Sequence, residues 1–387
     1  MGDVDLKNII YFDNAATTPP LVEHLSNHAD CAEGSTESQF WFMNPSSPHL
    51  GGIKASRALE KSRDKIKNSA GFQSGEVVFT SGGTESNNIA LLGHAIAQKK
   101  QGMSIFAEPW EHPSTLGPLK YINDEKLATV RLGAYEDWSI PSKGTVLITV
   151  SHVSHETGDV NDITRITDEV KRHNPEAIIH IDGAQGFCKE TIHTCNVDMY
   201  SASAHKFHGP SGLGFLYLKK GIRLKPIFFG GSQEFGLSPG TESVGRITTL
   251  SNVIASMQSA LNKNADAVMA IKSIMSSLAS VIPDACINER SQNVSPYILN
   301  ISFLGIKGEV LVHLLSEKGV YASMGAACRS RKKEKSALET MGFGKERAES
   351  SVRFSFSHLN TPEEANTACE IILDSVAKLR RVSRSPH

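Results

Sequence analysis

From about residue 76 onward, short apolar runs alternate with helical stretches, and this alternation constrains the fold more than any other feature. The runs are continuously apolar, as strands buried on both faces of a sheet are. The seven runs are residues 77–80, 104–107, 128–132, 146–150, 178–181, 197–200 and 213–218. Helical stretches such as 85–98 and 163–172 separate several of them. The alternation predicts an α/β fold with a mostly parallel, seven-stranded sheet that is covered by helices on both faces.

The pattern changes near Asn252, where a long predicted helix begins and reaches about Ser280. The elements predicted after it are strands 298–303 and 352–356 and helices 309–317 and 363–379. A chain of 387 residues is also too long for one small core. We therefore predict a large domain over residues 15–251 and a smaller α+β domain over residues 1–14 and 252–387.

The composition argues against nucleic acid and membranes as partners. Forty basic residues against 41 acidic ones leave a net charge of −1, so the chain has no overall basic field. No apolar run approaches the roughly 18 residues that would span a bilayer. Six cysteines without a CxxC pair do not form a disulfide framework, and we expect no metal site. Because the first residues also lack the features of a signal peptide, we expect a cytoplasmic protein.

Polar side chains follow several predicted strands, at the edge where open parallel sheets bind their ligands. The turn Ser-Gly-Gly-Thr at residues 81–84 opens a helix, and the free N–H groups of a helix start suit a phosphate. Asp182 follows another strand, where its carboxylate can pair with a protonated ring nitrogen, and His112 follows a third. Taken singly, each of these has an ordinary structural interpretation, such as a helix cap.

The stretch SASAHKFHGPSGLG at residues 201–214 adds a lysine between small residues and a glycine-rich turn. Glycines let the backbone pass close to a ligand, so Lys206 can be held beside one. Pyridoxal 5′-phosphate needs a Schiff-base lysine, a carboxylate on its pyridine nitrogen, donors for its phosphate and often a ring stacked on its face. The combination of these groups at successive strand ends therefore predicts pyridoxal 5′-phosphate as the cofactor.

Motifs spread over nearly the whole chain resemble the class V group of pyridoxal-phosphate enzymes, specifically the cysteine desulfurases and selenocysteine lyases. In order, they are YFDNAATTP (11–19), FTSGGTESNN (79–88), EHPS (111–114), HIDGAQ (180–185), SASAHKFHGPSGLG (201–214), GTES (240–243) and VRFSFS (352–357). The resemblance implies the fold-type I architecture of pyridoxal-phosphate-dependent transferases and a homodimer.

The resemblance also implies a role for each matching residue. Lys206 would bind the cofactor covalently, Asp182 would hold its pyridine nitrogen, and His112 would stack on its ring and transfer protons. The remaining cofactor contacts would be Gly83, Thr84, His155, Gln185, Ser203, His205 and, from the second subunit, Thr241. The substrate would be bound by Asn14, Asn44 and Arg353, whose forked guanidinium suits a carboxylate.

Cys328, in the segment ASMGAACR (322–329), would be the second nucleophile. The cations that follow it would favour its thiolate form. According to the resemblance, Cys328 attacks the Sγ of L-cysteine, which leaves a persulfide on the enzyme and releases L-alanine. The persulfide would then pass to a sulfur acceptor protein. We interpret the other five cysteines as structural.

Several positions depart from the family's pattern. His155 stands where an asparagine usually contacts the cofactor's phenolic oxygen, and Phe235 and Ser238 stand where arginines are usual. Ser243 replaces a usual asparagine. We expect these changes to affect dimer contacts, substrate affinity or turnover, while the lysine, the aspartate and the cysteine are retained.

Three functions stay open on the sequence alone. A cysteine desulfurase is the leading interpretation. A selenocysteine lyase is favoured by GAAC at residues 325–328 and opposed by the basic run after it. A catalytically impaired homodimer that acts as a binding or scaffold protein is motivated by the departures above. An aminotransferase or kynureninase of the same fold is disfavoured, because those enzymes lack the cysteine-bearing segment.

Overall fold

The structure is a computed structural model that describes residues 9–21, 42–72, 74–98, 102–192, 196–324 and 335–384. These residues fall into two compact units. The described residues within Pro19–His152 and Asn161–Ala260 form the larger unit, and those within Met1–Thr18, Val153–Val160 and Leu261–His387 form the smaller unit. No helix in the described ranges combines the length and the apolar character needed to cross a membrane.

The elements are numbered in chain order. The strands are β1 (Ile10–Tyr11), β2 (Glu76–Thr80), β3 (Ser104–Ala107), β4 (Thr129–Leu132), β5 (Val146–Ser151), β6 (Ile178–Asp182), β7 (Met199–Ser203), β8 (Gly214–Leu218), β9 (Ala285–Ile287), β10 (Ile298–Phe303), β11 (Val320–Tyr321), β12 (Ser323–Met324) and β13 (Ser351–Ser355). The helices are α1 (Leu50–Ala70), α2 (Gly83–Gln98), α3 (Pro113–Asp124), α4 (Ile163–His173), α5 (Val244–Ser259), α6 (Leu261–Ser276), α7 (Leu278–Val281), α8 (Gly308–Glu317), α9 (Ala337–Thr340), α10 (Lys345–Glu349) and α11 (Pro362–Arg384).

The larger unit contains a seven-stranded sheet in the order β2-β8-β7-β6-β5-β3-β4. Strand β8 is antiparallel to both neighbours, and the other neighbouring pairs are parallel. Along β2, Val77 and Phe79 enter one hydrophobic core and Val78 enters another, so both faces of the sheet are covered. The predicted α/β fold with a mostly parallel seven-stranded sheet is confirmed.

Strand β7 differs from its predicted bounds of 197–200. It begins at Met199 and continues to Ser203, because the small residues after Tyr200 still pair with β8, down to Ser203 opposite Gly214. The prediction ended the strand where apolar residues end. The strand therefore brings the chain to within three residues of Lys206.

The smaller unit contains an antiparallel sheet in the order β12-β13-β10-β9 and a parallel pair, β1 and β11. The prediction of a single helix over residues 252–280 was wrong. The structure has three separate helices there, α5, α6 and α7, which end at Ser259, Ser276 and Val281.

The predicted domain boundary at 251/252 falls inside α5, which packs against α1 in the larger unit. Residues 153–160 were predicted as part of the large domain, yet they group with the smaller unit. Hydrogen bonds explain this placement, since Asp159 accepts from the main-chain N–H of Arg290 at 2.8 Å and Asn300 donates to the carbonyl of Glu156 at 3.1 Å.

Candidate active site

The strands that precede the predicted cofactor residues end at one edge of the larger sheet. Thr80 of β2 and Ser203 of β7 both pair with Gly214, the first residue of β8. Next to β7, parallel strand β6 ends at Asp182, which pairs with Ser151 at the end of β5. Because the carboxyl ends of parallel strands meet at the same edge, the sequence-distant motifs after these strands are neighbours in the fold.

The start of α2 lies directly against the end of β7. Gly82 has a φ of +152°, which side chains rarely allow, and a Cβ on Gly214 would lie 2.7 Å from its Cα. A Cβ on Gly83 would approach the Cβ of Ser203 to 3.3 Å. Thr84 follows in the first turn of the helix and is exposed. We name this helix start, with Thr84 in it and Ser203 beside it, the anion cradle, because the free N–H groups of a helix start suit a phosphate.

Lys206 ends a short 3-10 turn, Ala204–Lys206, which directly follows β7. The main-chain N–H groups of Phe207 and Gly209 both donate to the carbonyl of Ala204, at 3.1 and 2.9 Å. Lys206 is partly buried at the end of this hydrogen-bonded turn. The backbone that carries the lysine is thus fixed to the central sheet.

Two side chains near Lys206 have defined hydrogen-bonding states. Burial, with Lys206 and Lys189 nearby, lowers the pKa of His205 to about 4. His205 is therefore neutral at pH 7 and keeps a ring N–H to donate. The ammonium of Lys189 donates to Oε1 of Gln185 at 3.2 Å. Oε1 is thus the acceptor side of the Gln185 amide, and Nε2 is its donor side.

Both carboxylate oxygens of Asp182 accept hydrogen bonds, and the residue is only 4% exposed. Oδ1 accepts the main-chain N–H of Ala184 at 3.0 Å. Oδ2 accepts Nδ2 of Asn87 at 2.7 Å and Oγ1 of Thr115 at 3.4 Å. The carboxylate is thus buried and fixed by three donors at the sheet edge, as a partner for a protonated ring nitrogen must be.

His112 is the N-cap of α3 and remains exposed. Its Nδ1 accepts the main-chain N–H of Ser114 at 3.1 Å and lies 2.7 Å from Oγ of the same serine. A cleft of about 550 Å³, lined by Thr84, His112 and Tyr121 among others, opens beside the ring. His112 therefore has a fixed ring orientation and space on one side for a planar ligand.

Glu111 holds the loop before His112 onto the end of β5. Its carboxyl accepts the main-chain N–H of Ser151 at 2.7 Å and makes a second, short hydrogen bond to the hydroxyl of Ser151. Complete burial, with Glu108 close by, raises the pKa of Glu111 to about 8. Glu111 is thus mostly protonated at pH 7.

The segment with unusual residues at 235 and 238 is anchored by an ion pair. Arg63 donates to both carboxylate oxygens of Glu234, at 2.6 and 2.8 Å, and its guanidinium lies 5.3 Å from the ring centre of Phe235. Glu234 also accepts the main-chain N–H of Phe79 at 2.7 Å, which ties the segment to β2. Phe235 itself remains 54% exposed.

Ser238 occupies the second position where the family usually has an arginine. Its hydroxyl donates to Oε1 of Glu85, in the first turn of α2, at 2.7 Å. The other oxygen of Glu85 accepts both the N–H and the hydroxyl of Ser81, so its charge is held by the turn that opens the helix. Thr241 follows three residues later and is exposed. The substitutions therefore leave an ordered segment leading to Thr241.

In the smaller unit, the structure places Arg353 of β13 beside two other conspicuous residues. Nη1 of Arg353 donates to the carbonyl of His155 at 2.8 Å, and Nη2 lies 3.5 Å from Oδ1 of Asp13. Its Nε is buried and has no hydrogen-bond partner among the described residues. The imidazole of His155 lies 3.6 Å from the carboxylate of Glu156. Arg353 is thus oriented by its neighbours.

Asn14 fastens the N-terminal segment onto β13. Its amide nitrogen lies 3.0 Å from the carbonyl of Ser355 and 3.3 Å from Oδ1 of Asn360. The amide oxygen of Asn14 is buried without a partner among the described residues. Asn44 lies in the larger unit, in the turn before α1, where its side chain accepts the N–H of Ser46 at 2.9 Å. Cys328 lies outside the described residues.

These observations fit pyridoxal 5′-phosphate. The sheet edge of the larger unit supplies an anion cradle, a buried carboxylate, an oriented imidazole and a lysine on a fixed turn. Each group has the donor or acceptor character that one part of the cofactor requires. Fold and site together define a fold-type I pyridoxal-phosphate enzyme.

Comparison with known proteins gives the family. The profile described as Aminotransferase class-V matches residues 10–367. The chain belongs to this family, and the resemblance seen in the motifs is confirmed. The family depends on pyridoxal phosphate, which is thereby confirmed as the cofactor.

Individual relatives are similar over nearly their whole length. A protein of Lactobacillus delbrueckii subsp. bulgaricus named "NifS/IcsS protein homolog" is 34% identical over 371 residues, covering 92% of this chain and 94% of that protein. A protein of Buchnera aphidicola subsp. Baizongia pistaciae named "Cysteine desulfurase IscS" is 32% identical, covering 98% and 95%. A solved structure titled "NIFS-LIKE PROTEIN" superposes with a TM-score of 0.84 at 29% identity, covering 96% of this chain and all of that one.

Sequence reasoning missed several residues that the site depends on. Asn87 and Ser114 lie inside the motifs but are not among the predicted site residues, because polar residues near the start of a helix usually cap it. Asn87 follows Gly83 by four residues, so helical spacing alone indicates that it shares a face with the cradle. No local sequence pattern indicates that Asp13 contacts Arg353, because the two residues are 340 positions apart.

Proposed function

We propose that this protein is a pyridoxal-phosphate-dependent cysteine desulfurase that converts L-cysteine to L-alanine and keeps the sulfur as a persulfide on Cys328. The observation that carries the proposal is the fixed carboxylate of Asp182 at the same sheet edge as the anion cradle and Lys206. The names of the relatives described above support the choice of reaction within the family.

We assign the cofactor contacts as follows. Lys206 is the covalent attachment point, and Asp182 binds the pyridine nitrogen. The cradle at Gly83, Thr84 and Ser203 binds the phosphate, together with neutral His205 and with Thr241 from a second subunit. Gln185 donates to the phenolic oxygen, and His155 serves the same oxygen in place of the usual asparagine. What pyridoxal phosphate supplies when bound is electron withdrawal, which makes the Cα proton of the substrate removable.

The chain's own residues then perform the remaining tasks. Arg353, with Asn14 and Asn44, binds and orients the substrate, with the guanidinium on the carboxylate. His112 carries a proton to or from the reacting atoms. The thiolate of Cys328 attacks the substrate Sγ: an S–S bond forms, the Cβ–Sγ bond breaks, and the electron pair left on the substrate is protonated to give L-alanine.

We further propose that the protein works as a homodimer. Phe228 and Phe229 are 49% and 89% exposed, and together with Thr241 they line a cleft of about 600 Å³. Exposed aromatic patches of this kind mark interfaces. A second copy of the chain is the occupant that would bring Thr241 to a cofactor. Light scattering should give twice the chain mass, and Phe229→Ser should shift that mass toward the monomer. A sulfur acceptor protein and a cytoplasmic location stay predictions.

Removal of Cys328 tests the reaction directly. Purified protein loaded with pyridoxal phosphate should release alanine from L-cysteine, and Cys328→Ala should abolish this release. Cys369→Ala is the matched control, because Cys369 is half-buried in the smaller unit and burial raises the pKa of its thiol to about 11. Alanine release by Cys328→Ala at the wild-type rate would exclude the persulfide mechanism.

The same variant separates sulfur from selenium chemistry. The GAAC segment at residues 325–328 motivates selenocysteine lyase as the second candidate. If that candidate is correct, wild-type protein should turn over L-selenocysteine much faster than L-cysteine. Selenide release should then survive in Cys328→Ala.

A further inference from the structure

Asn87 contacts Asp182 directly and is linked to His112 through Ser114, and we assign cofactor contacts to both Asp182 and His112. It is completely buried in the larger unit, in the first part of α2. Its amide nitrogen lies 2.7 Å from Oδ2 of Asp182, 2.9 Å from Oγ of Ser114 and 3.3 Å from Oγ1 of Thr115. One NH₂ group, with two hydrogens to donate, thus faces three acceptors. The two shortest distances identify Asp182 and Ser114 as its principal partners.

The opposite side of the same amide is unsatisfied. Oδ1 of Asn87 is buried and has no hydrogen-bond partner among the described residues. A buried polar atom without a partner destabilises a fold, and an apolar side chain of similar size would avoid that cost. The presence of an amide here is therefore explained by its donor side, which faces Asp182 and Ser114.

The hydrogen bonds from Asn87 to His112 have a defined direction. The main-chain N–H of Ser114 donates to Nδ1 of His112, so this nitrogen is an acceptor. The hydroxyl of Ser114, 2.7 Å from the same nitrogen, must then give its single hydrogen to Nδ1. Its oxygen is left to accept from Asn87 at 2.9 Å. The ring proton of neutral His112 therefore lies on Nε2.

We propose that Asn87 is a positioning residue that fixes the carboxylate of Asp182 and, through the hydroxyl of Ser114, the ring orientation of His112 for the cofactor. This inference rests on the proposed function, because it takes those two side chains as the cofactor's partners. Both hydrogen bonds come from one amide group, so a single substitution should disturb two cofactor contacts at once.

Three substitutions test the effect on the cofactor. Asn87→Leu keeps the approximate size and removes the donors, and it should raise the dissociation constant of pyridoxal phosphate about 10-fold. Asn87→Asp keeps the shape but turns an acceptor toward Asp182, and it should raise the constant further, by about 100-fold. Asn174→Leu is the control: Asn174 is equally buried and donates to the carbonyl of Pro141 at 2.9 Å, away from the sheet edge described above. It should lower the melting temperature and leave the dissociation constant unchanged.

A second readout needs no cofactor. In apoprotein labelled with ¹⁵N-histidine, the ring signals of His112 should show the proton on Nε2, and Asn87→Leu should shift the Nδ1 signal, because the hydroxyl of Ser114 loses the hydrogen bond that it accepts from Asn87. Signals are assigned by their loss in His112→Asn. Ser114→Ala removes the hydroxyl between Asn87 and His112 and keeps the hydrogen bond from Asn87 to Asp182. It keeps the test decisive if Asn87→Leu does not fold, since it too should shift the Nδ1 signal.

Two results would overturn the inference. One is wild-type cofactor affinity in folded Asn87→Leu, and the other is an unchanged Nδ1 signal of His112 in Asn87→Leu or, where that variant does not fold, in Ser114→Ala. Failure of the wild-type protein to bind pyridoxal phosphate would instead remove the proposed function. In that case the histidine spectra still decide whether Asn87 orients His112.

Discussion

The sheet edge of the larger unit and the Arg353 cluster of the smaller unit are built in different ways. At the sheet edge, Asp182 and Ser203 end strands and Gly83, Thr84 and Lys206 follow within four residues of one, so the hydrogen-bonded sheet fixes their backbone. Around Arg353, the partners come from the N-terminal segment, from residues 153–160 and from β13. The first region is organised by regular secondary structure, and the second by contacts between distant segments.

That difference indicates a division of tasks. A group that holds a cofactor permanently benefits from a rigid scaffold, and Asp182 with its three donors has one. Arg353, which we propose binds substrate, is held less completely, because its Nε has no acceptor among the described residues. We therefore expect substitutions at the sheet edge to act on cofactor binding and turnover, and substitutions around Arg353 to act on KM.

The largest effect is expected at Asp182. Asp182→Asn keeps the shape but removes the charge that holds the protonated ring nitrogen, so kcat should fall about 10³-fold. KM for L-cysteine should change little. Steady-state kinetics at saturating cofactor measure both quantities. A raised KM for L-cysteine together with a wild-type kcat would contradict the assignment of Asp182 to the cofactor.

A smaller effect, on a different parameter, is expected at Arg353. Arg353→Met keeps part of the side-chain volume and removes the guanidinium, so KM for L-cysteine should rise about 100-fold. The cofactor's dissociation constant should stay at the wild-type value. If Arg353→Met instead raises the cofactor's dissociation constant and leaves KM for L-cysteine unchanged, Arg353 acts on the cofactor and the proposed division of tasks between the two regions is wrong.

The smallest effect concerns the pH dependence of stability. The pKa of Glu111 is raised from 4.5 to about 8 in the folded protein, so the folded state keeps a proton that the unfolded state loses. Stability from this group is therefore present below pH 4.5 and is lost as pH rises toward 8. The free energy of unfolding should therefore fall between pH 5 and pH 8. Glu111→Gln stays neutral at both pH values, so this fall should be about 2–4 kcal/mol smaller in the variant. Urea unfolding at both pH values measures it, and an equally steep decline in the variant would show that Glu111 is ionised in the fold.

The sequence predicted the sheet edge better than the Arg353 cluster, and the reason is physical. Apolar runs reveal buried strands, and parallel strands bring their carboxyl ends together, so the neighbourhood of Thr84, Asp182 and Lys206 follows from the pattern. Strands β11 and β12 have only two residues each, too few to show the run or alternation of apolar residues that reveals a strand in a sequence. The contact between Asp13 and Arg353 joins residues 340 apart, and no local pattern encodes such a contact.

Within the sheet edge, the sequence predicted positions but not hydrogen-bond directions. It placed His112 after a strand, yet only the distances to Ser114 show which ring nitrogen accepts. It placed Gln185 near the cofactor, yet only the contact with Lys189 shows which end of its amide accepts a hydrogen bond.

The central claim is that Lys206 binds pyridoxal phosphate covalently, and an absorbance spectrum tests it most directly. Purified wild-type protein should show a visible absorbance band of the bound cofactor that changes on addition of L-cysteine. Lys206→Ala should lack this band while remaining folded, and Lys189→Ala, which removes the neighbouring lysine, should keep it. A band that persists in Lys206→Ala would contradict covalent attachment at Lys206. A wild-type protein without the band would favour a binding or scaffold role.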